Sequence, residues 1–75
     1  MLTYVEAKKI ALGLNKRVNA CNEYAKAYHF FEERDEEVDG DAGVVVLKDT
    51  GRAINFVQFI LSVHPEKNPK RIADF

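Results

Sequence analysis

RVNACNEYAKAYHFFEE, residues 17–33, can be read two ways, and the fold turns on which is right. Val18, Cys21, Ala25 and Tyr28 recur at helical spacing, whereas Val18, Ala20 and Tyr24 fit one side of a strand and lead into the β-prone run Tyr28 to Phe31. Propensity does not separate these readings, because aromatic residues favour strands mainly through the surface they pack on. Sheet size does. Farther along, GVVVLKDTGRAINF, residues 43–56, reads as a hairpin. Residues 44–48 form one strand, KDTG turns with a positive φ at Gly51, and residues 52–54 return. A two-stranded hairpin alone is marginal in water. Strands at about 17–24 and 27–33 would complete a sheet around it. The YAKA connection between them, without Gly or Pro, is the local feature that speaks against this reading.

On either side the signals are helical. Thr3 followed by Glu6 is a capping box, and Ala7, Ile10, Ala11 and Leu14 then fall on one face of a helix over about 4–14. Asn55, with Gln58 three residues on, caps a second helix whose face carries Phe56, Phe59, Ile60 and Val63, and Pro65 ends it. The tail, about 65–75, has two prolines and reads as irregular, with Ile72 and Phe75 able to dock. The expected fold class is α+β. An N-terminal helix packs on a three- to four-stranded antiparallel sheet, followed by a second helix, in a single domain over 1–75. An acidic loop occupies about 34–42.

Charge is unevenly spread. The chain totals −1, yet residues 30–41 alone carry −6, between segments of +3 (1–29) and +2 (42–75). This balance recommends neither nucleic acid nor an anionic membrane as a partner. With 47% hydrophobic residues the chain can bury a core, and no apolar run reaches the length of a membrane span. The N-terminal MLTYVEAKK lacks the pattern of a secretory leader, and one cysteine cannot build a disulfide framework, so a cytoplasmic location is expected.

Few residues recommend chemistry. Asp35, Glu37, Asp39 and Gly40 fill early places of an EF-hand-like loop, but the twelfth place, which needs a bidentate Glu, is Val46. Glu32, Glu33, Glu36 and Glu37 read as solvated acids rather than a tuned pair. His29, His64 and Cys21 share no ligand spacing, and Cys21 reads as a small buried residue. Ser62 beside His64 lacks an elbow glycine, and DGDAG lacks the ending of a phosphate loop. Tyr28, Phe30 and Phe31 would stack bases only if the negative charge beside them did not repel phosphate. Lys8, Lys9, Lys16 and Arg17 suit a solvated face. No catalytic residue, metal site or cofactor is expected.

The apolar signal is more specific. Residues 44–47 are apolar on both strand faces, and residues 56–63 are apolar over more than one stripe. This exceeds what a simple two-layer core uses. The expectation is an interaction surface, with Val45, Leu47 and Phe59 giving apolar contact and Glu36, Glu37 and Asp39 steering a basic partner. A protein partner or a homodimer would fill it. A metal- or small-ligand-binding accessory domain using the acidic loop and His29 is one alternative. A structural protein of a phage or mobile element is another.

The succession of helix, EYAKAYHFFEE, acidic loop, GVVVLKDTGRAINF and helix resembles certain small bacterial α+β domains, the PepSY-like domains and some immunity proteins of toxin systems. VVLKDTGR is similar to their final strands. The resemblance implies a non-catalytic binding or regulatory module and transfers no functional residue.

Overall fold

The computed structural model describes residues 2–32 and 43–72. Its elements are α1 (Tyr4–Leu14), β1 (Ala20–Glu23), β2 (Ala27–Phe31), β3 (Val44–Leu47), β4 (Ala53–Asn55), α2 (Phe56–Val63) and β5 (Lys70–Arg71). The strands form one sheet in the order β4-β3-β2-β1-β5, with every neighbouring pair antiparallel. Residues 20–31 therefore form a hairpin, shorter than the expected strands at 17–24 and 27–33, and the α+β architecture is as expected. Among the described residues the sheet has five strands rather than three or four. The added strand is β5 in the tail expected to be irregular, where Asn22 and Glu23 pair with Arg71 and Lys70.

Local chemistry sets the boundaries. Thr3 accepts the Glu6 N–H, and Glu6 accepts the Thr3 N–H, so the capping box satisfies two donors at the start of α1. Asn55 Oδ1 accepts the Gln58 N–H at 2.7 Å and starts α2. Gly51, at φ +72°, supplies the left-handed residue of the β3–β4 turn. The turn between β1 and β2 survives without Gly or Pro because other segments clasp it. Lys26 C=O accepts the Lys48 N–H at 2.9 Å, and Glu66 Oε2 accepts the Ala25 N–H at 2.9 Å.

Register decides which side chains share a face. Phe30 stands between Cys21 and Val44, and Tyr28 between Glu23 and Val46, with Val45 one step away beside His29 and Ile54 on the other face. On the first face α1 packs Ala7 and Ala11 against Cys21, Tyr28, Phe30 and Val46, joined by Val18 and the docked Ile72. The two alanines let the helix approach closely, and Tyr4 stacks on Phe30 at 6.0 Å between ring centroids. On the second face α2 packs Phe59 onto Tyr24, Ala27 and Val45, with Leu47, Ile54, Phe56 and Val63 around them. The double apolar character of β3 is thus satisfied within one chain: α1 covers Val46 and α2 covers Val45. Leu14, placed on the α1 core stripe by its spacing, is instead 62% exposed. It lies in the last turn, beside the C-cap Asn15, and outside both core clusters.

Candidate functional site

Because α2 covers β3, two of the residues expected at a contact surface cannot be there. Val45 and Phe59 are both 0% exposed and form the centre of the second core cluster. Tyr24 meets Phe59 edge-on at 5.1 Å and fixes its ring. Leu47 is half-buried in the same cluster. Glu36, Glu37 and Asp39, with the EF-hand-like positions Asp35 and Gly40, lie outside the described residues.

An exposed apolar stripe lies one helical step farther round, apart from the exposed Val5 and Leu14 of α1. Turning α2 so that Phe59 meets the sheet leaves Val57, Ile60 and Leu61 outward, at 63%, 42% and 70% exposure. Their spacing of three and four residues makes them one stripe. Gln58 and Ser62 fall together on a third, polar side, so α2 has two apolar stripes, one on the sheet and one facing outward. Only the stripe through Phe59 is covered. The eight residues FVQFILSV also contain no ionisable side chain. The sequence carried this signal, but deciding which of the two stripes is covered requires the direction in which α2 lands.

Ile60 also forms one wall of a cleft of about 430 Å³ between α2 and the segment that follows it. Tyr24, Phe56 and Pro65 complete its apolar lining, and His64, Glu66 and Lys67 supply the polar groups. The cleft is shaped by the exit of α2. His64 caps the helix in a left-handed conformation, φ 53° and ψ 60°, and its N–H donates to Ile60 C=O at 3.2 Å. Pro65 then turns the chain away, and the Glu66 contact with Ala25 ties the new segment to the β1–β2 turn. A smaller recess of about 90 Å³ shares His64, Pro65 and Glu66 with this cleft and is otherwise lined by Ala25, Lys26 and Val63.

Behind the cleft an aromatic row crosses the sheet face. His29 stacks on Phe56 at 4.2 Å and lies 5.1 Å from Phe31, whose ring has the Arg71 guanidinium at 5.5 Å. The other aromatics of β2, Tyr28 and Phe30, lie on the opposite face beneath Tyr4, so β2 presents no continuous stacking platform. On that opposite face Lys48 bridges to Glu23 at 2.8 Å across the Tyr28 ring.

Reactive groups are dispersed. Among the described residues no group of three or more His, Cys, Asp or Glu side chains could hold a metal ion. Cys21 is buried beneath α1, and desolvation, followed by the nearby Glu23 carboxylate, pushes its thiol up to about 12. Its thiolate is scarce at neutral pH, contrary to what a nucleophile needs. Ser62 donates to the Gln58 C=O within α2, a local helix contact. Among the described residues no helix is long and apolar enough to cross a membrane. No family model, curated protein or solved structure matches the chain.

Proposed function

We propose that this chain is a small non-catalytic interaction module that self-associates through the outer face of α2. The observation that carries the reading is the stripe Val57, Ile60 and Leu61, exposed on a chain otherwise able to seal both faces of its sheet. The occupant is a second copy of the same helix. A two-fold contact sets each residue group against itself, and α2 has no charge that such a contact would oppose. The sheet edges suit a partner less well. β5 consists of Lys70 and Arg71, the charged type of edge that discourages pairing, and β4 has only three residues.

Magnitudes set the strength of the contact. Fully burying a Val, Leu or Ile side chain is worth about 1.5–3 kcal/mol. Scaled by their exposures, the six side chains of two copies recover roughly 5–10 kcal/mol. Association costs on the order of 4–15 kcal/mol. The most favourable balance leaves about 6 kcal/mol, so the dimer is weak and reversible, with a Kd of roughly 40 µM or weaker. Amide chemical shifts followed through a dilution series test the surface. Concentration-dependent shifts should centre on α2. Shifts confined to β4 or β5 would move the contact to a sheet edge and overturn the assignment.

A further inference from the structure

We propose that the cleft beside α2 binds an apolar α-amino acid. Its lining combines an apolar wall with both signs of charge and is independent of self-association, although Ile60 borders both surfaces. Tyr24, Phe56 and Ile60 offer an apolar wall for an aliphatic or aromatic side chain, and about 430 Å³ leaves room for one. The polar lining carries both signs in adjacent residues, Glu66 and Lys67.

An α-amino acid carries both signs on one carbon. Glu66 Oε2 accepts the Ala25 N–H at 2.9 Å, which fixes the carboxylate while its second oxygen can accept from an ammonium group. Lys67 supplies the cation for the α-carboxylate, with His64 beside it in the lining. A simple fatty acid would engage Lys67 alone, and a simple amine Glu66 alone. The paired charges discriminate against both. Both charged side chains are exposed, so solvent screening keeps the affinity modest, on the order of 0.1–10 mM.

The test is an NMR titration of the full chain with L-phenylalanine and L-leucine. Two analogues accompany them, 3-phenylpropanoate, which lacks the amine, and 2-phenylethylamine, which lacks the carboxylate. The amino acids should give saturable shifts at Ile60, Glu66 and Lys67, and each analogue should bind about two- to fivefold more weakly. Glu66→Gln keeps an oxygen to accept the Ala25 N–H while removing the charge. It should reduce phenylalanine binding to the level of 3-phenylpropanoate. Repeating the titration with Leu61→Lys separates this site from the dimer surface, and binding should persist there. Absence of saturable shifts up to about 20 mM would overturn the assignment. So would equal binding of both analogues and the amino acid, which would reduce the cleft to an unselective apolar recess.

Discussion

Gly43 and Gly51 both have positive φ, +74° and +72°, yet they are required for different reasons. Gly51 follows a recognisable turn, and an added Cβ would meet only Leu2 and Ile10 side chains at ordinary contact distance. Gly51→Ala should therefore cost about 1 kcal/mol, from backbone conformation alone. At Gly43 a Cβ would also overlap the Phe30 carbonyl oxygen and the Phe31 backbone. Gly43→Ala should cost clearly more, and urea unfolding of the two variants checks the order. The need at Gly51 was readable from KDTG. The need at Gly43 was not, because it arises from a strand a dozen residues earlier. Cys21 makes a separate prediction. Its thiol is raised to about 12 in the folded chain, against about 8.5 unfolded. Stability is thus held below about pH 8.5 and lost progressively as pH rises toward 12. Cys21→Ala should remove that part of the alkaline loss, leaving the part from Tyr24 and Tyr28, whose phenols burial also raises. Unfolding midpoints at pH 7 and 10 measure the difference.

At the scale of elements, helices were the most legible parts because their signals are local. The capping box of α1, the Asn55 cap of α2 and the Pro65 stop all lie within four residues of the boundary they set. Thr3→Ala should cost about 1 kcal/mol by removing the acceptor for the Glu6 N–H, measurable by thermal melting. The β1–β2 turn was ambiguous because YAKA has no turn chemistry of its own; its support comes from Lys48 and Glu66, 22 and 41 residues away. The short β5 was missed for the same reason, since its pairing to β1 is entirely long-range. His64 gives an element-scale prediction at the end of α2. A left-handed conformation costs a non-glycine residue roughly 1–2 kcal/mol, and glycine returns part of that gain through its freer unfolded chain. His64→Gly should therefore raise stability by about 0.5–1 kcal/mol, while a loss would show that the imidazole holds the α2 exit in place.

For the whole molecule, the sequence announced an apolar excess but could not locate it. β3 is covered on one face by α1 and on the other by α2, so Val45 and Phe59 became core while Val57, Ile60 and Leu61 took the exposed position. The consequence is a sharp contrast between charge substitutions. Val45→Lys and Phe59→Lys each place a cation in a sealed core and should unfold the chain. Leu61→Lys changes a residue that is 70% exposed and should leave the fold intact. Sedimentation equilibrium of the wild-type chain and Leu61→Lys, from about 10 µM to 1 mM, tests the central claim most directly. The wild type should show a reversible monomer–dimer equilibrium, and Leu61→Lys should stay a folded monomer throughout. A wild type that stays monomeric across that range, or a Leu61→Lys variant that dimerises equally well, would contradict it.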